Sequence, residues 1–186
     1  GRVIIAENDT IQNAGNNESV SMSYEDVWSG QVSFEVKPLT DLNFKLDVFA
    51  STSDSRFYSH LYRLNPNGDK GTVTDALSIF PKITHTISNT AFHELSFAYR
   101  NNVVNSNLYD EYNDSRYTHP DSLNVPGYTF YRAGTNLNRF QRKMESLIAK
   151  WDLTTQLNSI HLAKIGAEIQ TDKVFYENID LQALEN

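Results

Sequence analysis

The stretch WSGQVSFEVK, at residues 28–37, decides the fold class of this chain. Its residues alternate, so that Trp28 and Phe34 lie on one face and Glu35 and Lys37 on the other. A repeat of two residues is that of an extended strand, in which successive side chains point to opposite sides. The stretch therefore predicts a β-strand with one apolar face and one charged face.

Five further segments carry the same alternation. They are residues 43–50, 77–87, 92–100, 146–153 and 162–170. The segment at 77–87 is the weakest, because Pro81 has no N–H to donate to a ladder and His85 falls among the apolar positions. Helical periodicity is scarce elsewhere, so we expect an all-β chain of about six strands.

The charged residues of these segments avoid the apolar face of their strands. Two interpretations stay open, since alternation alone does not separate a face that meets a protein core from one that meets lipid. In a membrane barrel the charged side chains would line the lumen, whereas in a soluble sheet they would be solvated. The lumen-lining candidates are Glu35, Lys45, Asp47, Arg100, Lys150, Asp152, Lys164 and Glu168.

Short and long connections alternate along the chain. Short links rich in turn-forming residues lie at 38–41, 88–91 and 154–158, and long links lie at 51–74 and 101–138. Long loops without structure are uncommon in compact soluble domains, whereas outer-membrane barrels alternate short periplasmic turns with long external loops. The pattern favours an antiparallel, up-and-down transmembrane β-barrel segment.

This interpretation divides the chain into three parts. We expect residues 1–27 to form a polar loop or the end of a preceding strand, residues 28–172 the barrel strands and external loops, and residues 173–186 the start of the next loop. The smallest barrels of this kind have eight strands. The strands found here would therefore be part of a larger barrel, with further strands outside this chain.

Composition and motifs exclude several classes of protein. The chain has 186 residues without Cys, and 16 Lys plus Arg against 23 Asp plus Glu. The absence of Cys excludes a disulfide scaffold and a thiol nucleophile, and a net charge of −7 argues against a nucleic-acid partner. No nucleophile elbow, phosphate loop or dinucleotide fingerprint occurs. We therefore expect neither an enzyme nor a bound cofactor.

The 5 histidines show no metal-ligand spacing. If residues 89–90 form a two-residue hairpin turn, His85 pairs opposite Glu94 and His93 opposite Thr86. Such a cluster lacks a convergent ligand set with a supporting shell. We therefore expect no metal site.

A family resemblance adds to this interpretation. It rests on QVSFEVKP (31–38), LNFKLDV (42–48), RLNPNGDK (63–70), YDEYNDSRY (109–117), and NRFQRK (138–143) continued by KWDLTTQLN (150–158) and HLAKIGAE (161–168). In these stretches the sequence resembles the barrel region of TonB-dependent outer-membrane receptors of the Bacteroidetes type, over most of residues 28–172. Neither a plug domain nor a TonB box is recognisable, and no site residue carries over by motif.

The resemblance implies a location, a function and a set of partners. A receptor of this family lies in the bacterial outer membrane, in contact with its lipid. It takes up a bulky nutrient such as a siderophore complex, a vitamin or a glycan. Its implied partners are a plug domain, the remaining barrel strands, a TonB-type energy-coupling protein and a surface lipoprotein.

Tyrosines of the long loops are the ligand-contact candidates. In the transporter interpretation these loops capture the nutrient. In the alternative, a soluble extracellular β-sandwich uses the same side chains to bind carbohydrate or protein. The candidates are Tyr58, Tyr62, Tyr109, Tyr112, Tyr128 and Tyr131.

Overall fold

The computed structural model describes residues 20–182, apart from the side chains of residues 124, 125 and 128. Its strands are β1 (Tyr24–Leu39), β2 (Leu42–Arg56), β3 (Thr72–Ser88), β4 (Ala91–Ser106), β5 (Asp121–Val125), β6 (Tyr128–Ala133), β7 (Asn138–Gln156) and β8 (Leu162–Asp180). Two 3-10 turns, His60–Tyr62 and Pro66–Gly68, follow β2. None of the helical turns in residues 20–182 has the length and apolar composition needed to span a membrane.

The six long strands form one antiparallel sheet in the order β1-β2-β3-β4-β7-β8. Each strand pairs with the next long strand along the chain, so the predicted all-β, up-and-down arrangement of six strands is confirmed. β1 and β8 are the two edges, and no pairing between them closes the sheet in the described part of the chain. The short strands β5 and β6 form a separate hairpin.

The long strands extend further than their apolar alternation predicts. β2 continues through the polar residues 51–56, and β8 runs to Asp180 although we expected a loop from residue 173 onward. That boundary was wrong, as was the start of β1, which lies at Tyr24 within the expected loop 1–27. Apolar alternation marks only the part of a strand whose face avoids water, whereas backbone pairing continues as long as a neighbouring strand offers partners. The rest of that expected N-terminal loop, residues 1–19, lies outside the described residues.

Two irregularities in β3 have local causes. The ladder between β3 and β4 breaks between Ile79 and Lys82, around Pro81, which lacks the N–H that a ladder needs. A register shift between Thr86 and Ser88 then places His85 directly opposite His93. The predicted pairing of His85 with Glu94 was therefore wrong by one residue, because a β-bulge inserts one residue before the turn.

Paired residues of an antiparallel ladder point to the same side of the sheet, so the register assigns each side chain to a face. We call the side that carries Val32, Val48, Ile79, Tyr99 and Leu147 the apolar face, since these residues form one continuous cross-strand row. The opposite side is the charged face. By the same register it carries all eight charged candidates, namely Glu35, Lys45, Asp47, Arg100, Lys150, Asp152, Lys164 and Glu168.

The apolar face is uncovered. Trp28 is 77% exposed and Ile169 is 69% exposed. Among the described side chains, Tyr62 is the only buried hydrophobic one, and it lies outside the sheet. An apolar patch that crosses six strands far exceeds what a soluble monomer leaves in water. Residues 20–182 therefore supply no covering layer for this face.

Candidate functional site

The two long connections meet at one end of the sheet. We call residues 57–71 and 107–137 together the loop cap. The backbone N–H of Asn136 donates to Gly68 O at 2.7 Å, and the side-chain Nδ2 of Asn65 donates to Gly134 O at 2.8 Å. These bonds join the first loop to the second, so the cap is one structure rather than two independent loops.

The close packing of the cap backbone, between the loops at Gly68 and within the second loop at Gly134, depends on these two glycines. A Cβ at Gly68 would lie 2.4 Å from the carbonyl oxygen of Gly134. Gly134 has a φ of +87°, in the left-handed region that only glycine adopts freely, and a Cβ there would lie 2.4 Å from His119 O. The backbones can approach this closely only because neither residue has a side chain.

Aromatic contacts pack the cap around the buried Tyr62, with the exposed side chains of His60 and Arg63 at its surface. The Tyr62 and Tyr131 rings lie 4.9 Å apart, His60 and Phe130 lie 4.8 Å apart, and the Arg63 guanidinium stacks 4.9 Å from the Phe130 ring. Tyr62 is only 6% exposed. Burial raises the pKa of the Tyr62 phenol above its usual range, because the phenolate would be desolvated. Tyr62 thus packs the cap, which does not fit its expected role as a direct ligand contact.

An exposed apolar patch lies beside these contacts. Phe57 is 75% exposed, and Tyr58 and Leu61 are exposed as well. The Tyr58 hydroxyl lies 2.9 Å from Nδ1 of His60, which holds the phenol ring against the cap. Tyr58 therefore remains a candidate for ligand contact. Phe57 and Leu61 were not predicted, although both belong to the FYSHLY stretch at residues 57–62.

Arg139, at the start of β7, organises the first part of the second loop. Its Nη1 donates to Tyr109 O at 2.5 Å and to the Tyr117 hydroxyl at 3.0 Å, and its Nη2 donates to Asp110 O at 2.7 Å. The guanidinium also stacks 4.3 Å from the Tyr112 ring. With only 9% of its surface exposed, Arg139 is a structural centre that no local sequence pattern predicts.

A surface turn flanks this centre. The Arg116 guanidinium bonds both oxygens of Asp114, at 2.9 and 2.6 Å, and stacks 3.9 Å from the Tyr109 ring. Side-chain and backbone hydrogen bonds from Arg116 lower the pKa of Asp114 from its ordinary value of 3.8 to about 2. The Tyr109 and Tyr117 rings contact each other at 5.0 Å. Tyr109 is therefore committed to contacts within the loop.

Tyr112 connects the loop to the edge of the sheet. Its hydroxyl donates to Oε1 of Glu177 on β8 at 2.7 Å, and this hydrogen bond raises the pKa of the Tyr112 phenol. The ring itself is half exposed. Tyr112 can therefore both tie the loop to β8 and present an aromatic surface to a ligand.

A polar cleft of about 340 Å³ opens where the cap meets β1, β2 and β3. Tyr24, Asp54, Arg56, Asp69 and Asp110 are among the residues that line it. Arg56 donates to Pro66 O at 2.6 Å and stacks 5.3 Å from the Tyr24 ring. None of the five candidate tyrosines with described side chains lines this cleft. Sequence reasoning missed Tyr24 and Arg56 because their partners come from distant parts of the chain.

The candidate tyrosines fall into two groups rather than one pocket. Tyr58, Tyr62 and Tyr131 belong to the aromatic part of the cap, and Tyr109 and Tyr112 surround Arg139. The side chain of Tyr128 lies outside the described ones. The cap therefore offers two separate aromatic groups rather than one pocket.

Many of the predicted lumen charges are paired with each other on the charged face. Lys45 lies 3.0 Å from Asp47, while Lys150 and Lys164 lie 3.4 and 3.6 Å from Asp152. The lysine side chains of these pairs are 44–57% exposed, so water screens the ion pairs and each contributes little to stability. Among the described residues, no three His, Asp or Glu side chains converge in an arrangement that would hold a metal ion. Comparison with protein-family models and with curated proteins gave no match, so the geometry alone supports a function.

Proposed function

We propose that this chain is a six-stranded part of a bacterial outer-membrane β-barrel of the TonB-dependent receptor type, which takes up a bulky nutrient. In this proposal the apolar face contacts lipid and the charged face lines the lumen. The single observation that carries the proposal is the uncovered apolar band that crosses all six long strands.

The height of the band fits a membrane. On β2 it runs from Leu42 to Ala50, so it spans eight residue steps. At ~3.4 Å per residue this is roughly 27 Å along the strand. For a strand inclined at ~40° it corresponds to roughly 21 Å along the membrane normal, close to the apolar band of about 25 Å of outer-membrane barrels.

The edge of the band slants across the sheet. Going from β1 to β8, the first polar residue on the apolar face at the cap side is Asp26, Thr52, Asp75, Asn101, Glu145 and Thr171. The cross-strand row of Thr171 runs through Leu147, Tyr99, Ile79 and Val48 to Val32 on β1. The edge found on β8 therefore projects onto β1 at Val32, six residues from the edge found on β1 itself, Asp26. Five strand-to-strand steps separate β1 from β8. The edge therefore shifts by about 1.2 residues per strand.

Such a slant is what a flat membrane boundary imposes on tilted strands. With a rise of ~3.4 Å per residue and strands ~4.8 Å apart, 1.2 residues per step correspond to a tilt of about 40°, and barrel strands tilt by about 35–45°. The short turns shift in the same direction. Leu39 and Leu42 form the last pair of the first hairpin. The cross-strand row of this pair reaches the third hairpin at Leu153 and Ile165. The third hairpin continues for three more residues on each strand before its turn.

A groove of about 420 Å³ on the apolar face also suits lipid. It lies where the ladder breaks beside Pro81, and its walls include Phe97, Leu147 and Ile169. Its lining is almost entirely apolar. In this proposal a lipid acyl chain fills the groove.

The soluble sandwich is less well supported. It needs a second sheet packed on the apolar face. The second sheet within residues 20–182 is the hairpin β5–β6, which belongs to the loop cap. Its Phe130 and Tyr131 contact the first loop of the cap, at His60 and Tyr62, rather than the apolar face.

Nutrient capture is assigned to the loop cap. Phe57, Tyr58 and Tyr112 present exposed aromatic or phenolic surfaces there, and such rings stack on sugars and on aromatic groups. In this proposal a surface lipoprotein binds the cap and a plug domain contacts the charged face. An energy-coupling protein acts on the plug.

Membrane fractionation tests the proposal. The intact protein should stay with the outer membrane through high-salt and carbonate washes, and only detergent should release it. Recovery in the soluble fraction without detergent would refute the lipid-facing role of the apolar face.

A further inference from the structure

A histidine pair lies near the short-turn end of the sheet. His85 on β3 and His93 on β4 are direct cross-strand partners on the apolar face. Nδ1 of His85 lies 3.0 Å from Nε2 of His93, and the ring centroids are 5.1 Å apart with an angle of 80° between the planes. At this distance the two nitrogens share one proton, so one imidazole donates and the other accepts.

Asp41 determines which imidazole accepts. Its Oδ2 lies 3.4 Å from Nε2 of His85, and a carboxylate only accepts. The His85 proton therefore belongs on Nε2, which leaves Nδ1 with a free lone pair directed at His93. Nδ1 of His93 is enclosed and has no hydrogen-bond partner, so Nε2 is the nitrogen that His93 can offer to an ion.

We propose that His85 Nδ1 and His93 Nε2 bind one divalent transition-metal ion, with Asp41 orienting His85. Imidazole suits Zn²⁺ and Cu²⁺, and a carboxylate on the far nitrogen of a ligating histidine is the usual supporting contact. On binding, His93 moves its proton from Nε2 to Nδ1, so that both ligating nitrogens present a lone pair to the ion, and water completes the coordination. This proposal does not depend on lipid contact by the apolar face.

The geometry and access suit an ion. Two metal–nitrogen bonds of ~2.05 Å at a tetrahedral angle place the nitrogens about 3.3 Å apart. Binding therefore needs the nitrogens to separate by a few tenths of an ångström and each ring to turn until its lone pair points at the ion, about 35° off the line between the nitrogens. The His85 side chain is 39% exposed and Asp41 lies in the short turn after β1. The ion can therefore enter from water. No metal site was expected from the sequence, because the β-bulge before the turn is what brings the two rings together.

Calorimetric titration with Zn²⁺ tests the site in the full chain, in detergent and without an affinity tag. We expect one ion per chain. His85→Gln and His93→Gln should each lower the affinity at least tenfold, and Asp41→Asn about tenfold. The matched control is His161→Gln, which changes an exposed histidine at another short turn and should leave the affinity unchanged. Equal binding by the wild type and the His85→Gln, His93→Gln double variant would overturn the proposal.

Electron paramagnetic resonance of Cu²⁺ on the wild-type chain gives a second test that needs no variant to fold. Hyperfine coupling to two imidazole nitrogens is the expected result. A spectrum with oxygen ligands only, or with a single nitrogen, would overturn the proposal even if every substitution destabilised the sheet.

Discussion

Ile169 on the sheet and Tyr62 in the loop cap are both large and largely apolar, yet 69% of Ile169 is exposed and only 6% of Tyr62. The cap is held together by its own residues. Aromatic rings of the cap pack on each other, and Arg139 donates hydrogen bonds to backbone carbonyls of the cap. The apolar face of the sheet has no such partners within the described residues. The stability of the cap should therefore depend on its own contacts, whereas that of the sheet should depend on its surroundings.

The largest effect should come from a charge on the apolar face. Ile165 lies within the apolar stretch of β8, so Ile165→Lys should destabilise the membrane-assembled state by about 2–4 kcal/mol. Gln170→Lys is the control, because Gln170 lies on the charged face of the same strand. Denaturant titration of both variants folded into lipid vesicles measures the difference. Equal stability of the two variants would contradict a lipid-facing Ile165.

Loss of Arg139 should open the cap and leave the sheet intact. Arg139→Ala leaves four acceptors, three carbonyl oxygens and the Tyr117 hydroxyl, without their charged donor. This loss should lower the local opening free energy of residues 107–117 by roughly 1.5–3 kcal/mol. Native-state hydrogen exchange measures this loss. Arg142→Ala, on the exposed charged face, serves as the control. Equal acceleration of exchange in the strands would show that cap and sheet are not independent.

Two glycines with positive φ among the described residues, Gly127 and Gly134, allow the cost of backbone strain to be compared with the cost of a steric clash. Gly127 and Gly134 have φ values of +85° and +87°, but only at Gly134 would an added Cβ lie within 4 Å of other backbone atoms. Gly134→Ala should therefore destabilise the cap by roughly 1–3 kcal/mol more than Gly127→Ala. Limited proteolysis of the cap measures the difference. Equal cleavage rates would mean that the close contact with His119 is unimportant.

The smallest effect should be a pH dependence of the surface turn. The folded pKa of Asp114 is depressed from 3.8 to about 2, so its bonds with Arg116 contribute in full above pH ~4 and are lost as pH falls toward 2. Amide exchange or chemical shifts of Arg116 should follow this window. Asp114→Asn should abolish the dependence, and an unchanged pH profile in that variant would contradict the assignment.

The sheet was predictable from the sequence because its causes are local. The alternation of apolar and polar residues in 28–37 and in the five other alternating segments indicates which side of each strand avoids water. Turn-forming residues mark the short links between the strands. Strand ends were not predictable, since polar residues such as those at 51–56 pair only because β1 and β3 lie beside them.

The loop cap was largely beyond sequence reasoning. Its candidate tyrosines were correctly placed in long loops, but no spacing indicates that Arg139 would collect carbonyls of Tyr109 and Asp110 about thirty residues earlier in the chain. The His85–His93 pair was missed for another reason. A single inserted residue near the turn changes every pairing on the far side of the bulge in that hairpin.

Fluorescence of the chain's 2 tryptophans, Trp28 and Trp151, tests the central claim most directly. Both lie on the apolar face, Trp28 at the cap-side edge of the band and Trp151 within it. With Trp28→Phe and Trp151→Phe isolating each signal, brominated lipid acyl chains should quench both, and deep bromines should quench Trp151 more than Trp28. Aqueous iodide should quench neither strongly. Strong quenching of both by iodide, without quenching by brominated lipid, would contradict a lipid-facing apolar face.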